Sequence, residues 1–267
     1  MIDKNIQKLL REKYNPEGSI LRRAQKKMLE MLTFIDELCM ENNIPYWLDG
    51  GTLLGAARHK GFIPWDDDTD ICVLEKDRIR LKQLLLNKTK GTRFILQCRE
   101  TDSGYFGSWD VLRDLDSEYV VDNPIHQLRN YKGCQVDIFY VSDKVSRPFQ
   151  RIAIWLHSNL VVKPIIRNES ITKMDNRYRF LYYYLFPMFY KMHSVCKQKY
   201  YRYGYGVSFF DKHIITGIYP LIRIPFEDTL LQVPNNYDKY LKESFGDWEQ
   251  LPDSSELRIH STNIIFK

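Results

Sequence analysis

Four aspartates fall within five positions of the stretch "GGTLLGAARHKGFIPWDDDTDICV", at Asp66, Asp67, Asp68 and Asp70, directly before the apolar run Ile71 to Leu74. Like charges this crowded repel, so a chain carrying them at the edge of a strand must hydrate them, share protons among them or bring a cation to them. On an extended strand, residues two apart share a face. Asp68 and Asp70 therefore point together, with Asp66 in line if the strand begins that early, while Asp67 points elsewhere. Carboxylates aimed at one point make an oxygen-only donor set suited to a hard cation, Mg²⁺ or Mn²⁺. An exposed acidic turn is the bland alternative, and helix capping would use one aspartate, not four. A calcium loop of the EF-hand type fails, because Ile71 stands where its glycine is required and Asp77 where its glutamate is.

What precedes and follows the cluster sharpens the metal reading. "IPYWLD" reads as a short strand, and the pair Gly50-Gly51 after it opens a helix predicted over roughly Thr52 to Arg58. Glycines let a ligand approach the backbone closely and a helix N-terminus offers free N–H groups, so this turn is a natural seat for phosphate. Further on, in "CQVDIFYV", Asp137 stands alone between Val136 and Ile138. A charge there is costly unless it binds a metal or pairs with an arginine, and both readings stay open. A phosphate seat, the basic run Arg58, His59 and Lys60, paired aspartates and a third carboxylate on another strand suit metal-dependent phosphoryl or nucleotidyl transfer.

The rest of the chain supplies a frame. At 267 residues, 44% hydrophobic and 27% charged, it is globular material for one large domain or one domain with a sizeable appendage. Apolar residues recur at helical spacing from Ser19 to Asn43, and again in "EKDRIRLKQLLLNK", with Ile79, Leu81, Leu84 and Leu85 expected inward. "TDICVL", "RFILQC", "YFGSWDVLRD", "SEYVVD" and "GCQVDIFYV" read as strands, the last four as an antiparallel extension of one sheet. Between Arg147 and Arg202 the pattern turns helical, aromatic and basic, with Pro164 and Pro187 as expected breaks. The tail is predicted to hold strands around a turn at Glu227 and Asp228, then a short helix ended by Gly246. The expected division is a core over 1–146, a helical basic and aromatic insertion over 147–205, and a part over 206–267 that completes the core.

Five cysteines without a C-x-x-C pair imply reduced thiols and a cytosolic setting. The N-terminus carries no signal-peptide pattern, and the longest uncharged apolar runs fall short of a membrane span. The net charge of +5 is unevenly placed, with eleven Lys or Arg between Arg147 and Arg202 against Glu169 and Asp175. Rings interleaved with cations suit the headgroup region of an anionic membrane, a solvated or packed helix face being the alternative. Nucleic acid is not an expected partner, since the cations are mixed with bulky apolar residues and no recognised motif is present.

"YWLDGGTLLGAARHKGFIPWDDDTDI" resembles the signature of the LicD family of phosphocholine transferases, related to the fukutin proteins and placed in the nucleotidyltransferase superfamily. "VDIF" around Asp137 resembles that family's third-carboxylate strand, and "VPNNYDKYLKESFGDW" its C-terminal element. The resemblance implies an α+β fold, a nucleotidyltransferase-like mixed sheet flanked by helices. It implies that Gly50, Gly51 and Thr52 hold the donor's phosphates, with Arg58 and His59 neutralising charge. Asp68 and Asp70 would bind Mg²⁺ (or Mn²⁺), Asp66 would assist, and Asp137 would be the third ligand or orient the acceptor hydroxyl. The implied donor is CDP-linked, such as CDP-choline. The implied acceptor is a hydroxyl of a cell-surface glycan such as lipopolysaccharide or teichoic acid, or of a lipid-linked precursor assembled on the cytoplasmic face of the membrane.

Choline's quaternary ammonium is best held by aromatic faces, and Tyr105, Phe106, Trp109 and Tyr119 are the candidates in the sheet region, with Arg113 beside them; aromatics at strand spacing also serve as core. Two other functions keep the same parts or discard them: a nucleotidyltransferase adding NMP to a small molecule or sugar, and a non-catalytic protein that binds glycan or nucleic acid.

Overall fold

The computed structural model describes residues 2–193, 198–252 and 263–267. α1 (Lys4–Tyr14) is capped by Asp3, whose carboxylate accepts from the Asn5 and Ile6 amides. α2 (Ile20–Glu41) starts at Ser19, whose hydroxyl accepts from the Arg22 amide, and its helical period buries Ala24, Met28, Met31, Leu32, Ile35 and Leu38. β1 (Tyr46–Leu48) leads through Asp49 into α3 (Gly50–His59), and the aspartate run leads into β2 (Asp70–Leu74). α4 (Arg78–Lys88), β3 (Phe94–Gln97), β4 (Asp110–Asp114), β5 (Ser117–Tyr119), α5 (Pro124–Leu128) and β6 (Gln135–Ser142) follow.

The sheet order is β1-β2-β6-β4-β3. β2 and β6 run parallel and the other pairs antiparallel, giving the mixed sheet of an α+β fold. Asp49 donates its amide to the Asp70 carbonyl, and the Asp137 amide donates to the Thr69 carbonyl, so the ends of β1, β2 and β6 carrying these aspartates are stitched together. β5 departs from the expected extension of this sheet. The edge of β6 on that side is already taken by β4, and β5 pairs instead with β11 (Ile264–Phe266). The far half of the same β6 edge is used by β7 (Tyr200–Tyr203), which β8 (Lys212–Ile214) extends.

Between β6 and β7 lie α6 (Arg147–His157), α7 (Lys163–Ile166), α8 (Ile171–Arg179) and α9 (Phe186–His193). Pro164 and Pro187 do not break these helices as the sequence suggests. Ser158–Val162 and Phe180–Leu185 take wider π-type turns, and those segments contain Leu160 and Tyr183, the residues whose carbonyls each proline ring would otherwise strike. The helices enclose a second apolar cluster, including Ala153, Val161, Leu181 and Phe186, that also takes in Phe106 and Val145. α10 (Ile215–Ile218), the hairpin β9 (Ile222–Phe226) and β10 (Thr229–Val233), and α11 (Tyr237–Phe245) return to the main core, with the hairpin turning at Glu227 and Asp228 as expected.

In α4, Leu81 and Leu85 are buried and Leu84 is half-buried, but Ile79 is 71% exposed, against expectation. A 3₁₀ turn at Glu75–Asp77 precedes the helix, and Arg78 lies within reach of Glu75 and Asp110 from its first turn, so Ile79 is left facing out. Cys39, Cys72, Cys98 and Cys134 are buried free thiols; Cys196 lies outside the described residues. No helix among the described residues is long and apolar enough to cross a membrane.

Glu227 joins distant parts of the chain. Its carboxylate accepts from Arg22 at 2.6 Å, from Arg11 at 3.1 Å and from the Phe62 amide at 3.1 Å, while its own amide donates to the Lys60 carbonyl. The Glu227 side chain is 7% and that of Arg22 16% exposed, so removing one partner leaves a charge with little access to water. Glu227→Gln is expected to cost about 3 kcal/mol. Urea unfolding followed by circular dichroism should show a lower midpoint at unchanged slope.

Candidate active site

The parallel register sets Asp70 directly beside Asp137 on neighbouring strands, so both carboxylates leave the same face of the sheet. A cavity of about 790 Å³ opens there. Asp66, Asp68, Asp70 and Asp137 all line it, together with Gly50, Gly51 and Arg58. Gly50, Gly51 and Arg58 come from α3, Asp66 and Asp68 from the segment between α3 and β2, Asp70 from β2 and Asp137 from β6, so the aspartate cluster is gathered at a cleft rather than inside the packed core. Asp67 turns away; it is buried, and its carbonyl accepts from the Tyr119 hydroxyl.

Electrostatically the cleft is under strain. Asp66 and Asp70 are both pushed well above the usual carboxylate range, first by burial and next by the charge of Asp68. Asp66 also shares a hydrogen bond with Asp68, which requires a proton between the two carboxyls. Asp137 is pushed up to about 6 by burial, with the Arg113 guanidinium opposing the rise. Among the described residues neither Asp66 nor Asp70 takes part in a salt bridge.

The glycine pair is needed for this arrangement. Gly50 has φ +51°, and a Cβ there would stand 2.7 Å from Asp70 Oδ2; a Cβ on Gly51 would stand 2.8 Å from Asp66 Oδ2. The first turn of α3 is thus held against two carboxylates, whose charge its dipole favours. Thr52 is not at the cavity wall. It is buried, and its hydroxyl accepts from the Asp70 amide at 2.8 Å, pinning the start of β2 to α3.

The basic pair divides. Arg58 lines the cavity and is fixed by donating to the Trp248 and Gln250 carbonyls; burial pushes its pKa down to about 10, so it stays charged at neutral pH. His59 points to Gln7 Oε1 at 2.6 Å, and burial beside Arg58 pushes it down to about 3. It is neutral at physiological pH and offers no charge to a phosphate.

Of the four expected cage aromatics, Trp109 alone lines the cavity, packed on Phe139 at 5.1 Å between ring centroids. Among the described residues its indole N–H has no hydrogen-bond acceptor within range, but it lies near enough to Asp137 to favour the ionised form. Tyr105 is buried with its hydroxyl donating to the Trp109 carbonyl, Phe106 belongs to the second core, and Tyr119 is tied to Asp67. Arg113 is also buried, donating to Gln97 and to the Gly133 carbonyl, and serves as a fixed positive charge behind Asp137. The rings that do face the cavity include Trp65, Phe139, Tyr203, Phe209 and Trp248, drawn from five separate segments.

Asp49 is the residue that sequence reasoning passed over. It is buried and accepts from Tyr203 at 2.6 Å, Tyr240 at 2.8 Å and the Cys72 thiol at 3.0 Å, so it ties β7, α11 and β2 to the rim of the cleft. An aspartate ending the apolar run "YWL" was the available signal.

The residues offer a hard cation the right donors, since oxygen ligands alone face the cavity and they repel one another without a cation. Among the described residues, however, no three His, Cys, Asp or Glu side chains are already drawn into a closed metal-holding cage.

Residues 43–148 match the family model described as LicD/FKTN/FKRP, nucleotidyltransferase domain. An uncharacterized protein of Rickettsia prowazekii is 29% identical over 156 residues, covering 51% of this chain and 58% of that protein. The lipopolysaccharide cholinephosphotransferase LicD of Haemophilus influenzae is 26% identical over 267 residues, covering 90% of this chain and 95% of that protein. The ribitol 5-phosphate transferase FKRP of Mus musculus is 25% identical over 203 residues, covering 76% of this chain and 28% of that protein. The chain spans a little over half the length of the rickettsial proteins it matches. The matched segment contains Gly50, Gly51, the aspartate run and Asp137, and over residues 43–148 the chain carries a domain of the LicD/fukutin-related family.

Proposed function

We propose that this chain is a transferase that moves phosphocholine, or a similar phospho-substituent, from a CDP-linked donor to a hydroxyl of a cell-surface glycan or its lipid-linked precursor, with Mg²⁺ or Mn²⁺ as cofactor. The observation that carries the reading is the register of Asp70 against Asp137 across a parallel strand pair, at a cleft that also presents Gly50 and Gly51. The similarity to the Haemophilus cholinephosphotransferase and to the mouse ribitol 5-phosphate transferase, both named for moving a substituted phosphate, supports it.

Asp68, Asp70 and Asp137 would hold the cation, with Asp66 beside them. A bound divalent ion supplies charge neutralisation for the donor diphosphate and for the departing nucleotide. The chain's own residues do the rest. Gly50 and Gly51 let the donor phosphates come close to the first turn of α3, and Arg58 adds a fixed positive charge on the same wall. Asp137, poised to about 6, accepts the hydrogen bond of the incoming hydroxyl and orients it for attack. The hydroxyl oxygen forms the new P–O bond as its proton passes to Asp137, the bond to the CMP oxygen breaks, and CMP leaves with the electron pair; no covalent enzyme intermediate is needed. Trp109, Phe139 and Phe209 form an aromatic wall for the substituent, the role that the buried Tyr105, Phe106 and Tyr119 cannot fill.

The insertion supports a membrane-side location for the acceptor. Phe180, Tyr184, Met188 and Met192 recur at helical spacing and are exposed, with Trp155 62% and Tyr184 71% accessible. Arg151, Lys163, Arg167, Lys173 and Lys191, spread over the same insertion, are also exposed. Rings with cations among them suit an anionic lipid surface.

Three outcomes test these statements. With Mg²⁺ and a panel of CDP-linked choline, ethanolamine and ribitol, chromatography should show CMP released from at least one donor; pyrophosphate instead would mark nucleotidyl transfer. EDTA should abolish turnover, and Asp68→Asn should lower kcat by ~10²-fold or more.

The second concerns pH. Because Asp66, Asp70 and Asp137 have raised pKa values in the folded chain, their contribution to stability is full below the ordinary carboxylate pKa and is lost as pH rises through the folded values. The metal-free chain should therefore lose stability from this cluster between pH 4 and neutrality. Asp137→Asn should stabilise the metal-free chain at pH 7.5 by on the order of 2 kcal/mol while abolishing turnover. Thermal unfolding should also show Mg²⁺ raising Tm more at pH 7.5 than at pH 5.

The third is binding to lipid. The chain should co-sediment with phosphatidylserine vesicles and not with neutral ones, and a Trp155→Ala, Tyr184→Ala double variant should remain in the supernatant.

A further inference from the structure

A second cavity, of about 520 Å³, lies where the inserted helices meet the far end of β2 and β6. It is within the size range of small-ligand sites. Its walls are rings from both bodies: Tyr140, Tyr182, Phe186, Tyr190, Tyr201 and Tyr205. Nothing in the proposed reaction uses it.

Its charges are arranged by depth. Glu75 lines the cavity, and among the described residues its Oε2 has no hydrogen-bond partner. Arg78 stands 3.7 Å from Glu75 and 4.0 Å from Asp110, with its guanidinium over the Tyr140 ring at 4.7 Å, while the Tyr140 hydroxyl donates to Asp110. Arg78, which also lines the cavity, is shared between Glu75 and Asp110, so Glu75 Oε2 is left as an acceptor at the floor without a donor among the described residues. Gly204 keeps the floor open, since a Cβ there would stand 3.0 Å from the Tyr190 hydroxyl and 4.0 Å from Glu75 Oε2. At the rim the balance reverses: Lys76 and Lys144 are exposed, against the half-buried Asp143.

An unpartnered carboxylate oxygen between tyrosine faces favours a compact cation, and quaternary ammonium groups are held by aromatic faces in this way. A rim with surplus positive charge favours an anion one short linker away. We infer that this cavity binds a zwitterion whose ammonium end enters the aromatic box and whose phosphate stays among the rim lysines. Resting on the proposed reaction, the occupant is the phosphocholine group of glycan that already carries it.

The site is separate from the reacting centre. Glu75 follows Leu74, four residues beyond Asp70 along β2, or about 13 Å at strand rise. Only two carbons separate the phosphate oxygen of phosphocholine from its nitrogen, so a donor whose phosphate sits at the aspartates cannot place its own ammonium in the second cavity. The second cavity therefore retains a glycan through a group installed earlier, which favours decoration of neighbouring units on one chain.

Calorimetric titration of the full chain with phosphocholine tests this without turnover. Glu75→Gln and Lys144→Glu should each weaken binding roughly tenfold, as expected when one charge partner is removed from a partly enclosed site, while Asp68→Asn should leave it unchanged. Lys144 is exposed, so its variant folds even if the substitution at Glu75 disturbs the floor. Tetramethylammonium and inorganic phosphate, titrated separately, should each bind more weakly than phosphocholine. The inference is overturned if phosphocholine does not bind, if Asp68→Asn removes binding while the two cavity variants keep it, or if tetramethylammonium alone binds as tightly. Binding that responds to Glu75 and Lys144 in a chain that releases no CMP from any donor would sink the transfer reaction and leave this site standing. CMP release without such binding would sink this site alone.

Discussion

The parallel pairing of β2 with β6 is the constraint on which the rest of the molecule depends. In that register Asp70 and Asp137 emerge side by side, and no reshuffling of side chains can separate them without slipping a strand. A one-residue slip would turn both the carboxylates and the apolar residues between them to the opposite faces, so the core that packs α2 against the sheet also enforces the juxtaposition of like charges. Burial of Ile71, Cys72 and Val73 against Ile138 and Phe139 holds together what electrostatics would push apart.

That repulsion explains several features that are otherwise unconnected. Glycines occupy the first turn of α3 because any side chain there would strike the Asp66 and Asp70 carboxyls. Thr52 is a threonine because its hydroxyl holds the Asp70 amide, fixing the point where the strand begins. Arg113 is buried behind Asp137, where it limits the rise in pKa without closing the cleft. Asp49 is treated differently from its neighbours: two tyrosine hydroxyls and a thiol satisfy it, so it serves as an anchor for β7 and α11. A carboxylate tied into the packing and carboxylates that line a cavity thus lie within one small region.

What was legible in the sequence follows from the range of the interactions. A lone charge in an apolar run marks Asp137 by local geometry alone; period-two alternation also pairs Asp68 with Asp70, but β2 begins only at Asp70, and Asp68 reaches the cavity from the non-strand segment before it. The shared cavity of these residues depends on β2 and β6 being adjacent and parallel, which no local pattern specifies. The aromatic wall is less legible still. Tyr105, Trp109 and Tyr119 look alike as aromatics near strands, yet Trp109 alone lines the cleft, and the other rings come from elements as distant as Trp65 and Trp248. His59 misled for a related reason, since a histidine next to an arginine reads as cationic until burial removes its proton. Pro164 and Pro187 misled because a helix can widen around a proline as well as stop at it.

The inserted helices bear on how far the chemistry can be tuned without touching the carboxylates. β7, which follows them, pairs with the far half of β6 and contributes Tyr203, a residue that both anchors Asp49 and lines the main cleft. The strand after the insertion is therefore part of the cleft wall, and any shift in how α6 to α9 pack would be carried through β7 to the aromatic side of the site. The carboxylate side rests on β2, α3, β6 and the segment before β2, and does not share that dependence. If the proposed reaction holds, a fold divided in this way would let the group transferred and its acceptor diverge through the insertion, while Gly50, Gly51, Asp70 and Asp137 stay under the stricter constraint of strand register.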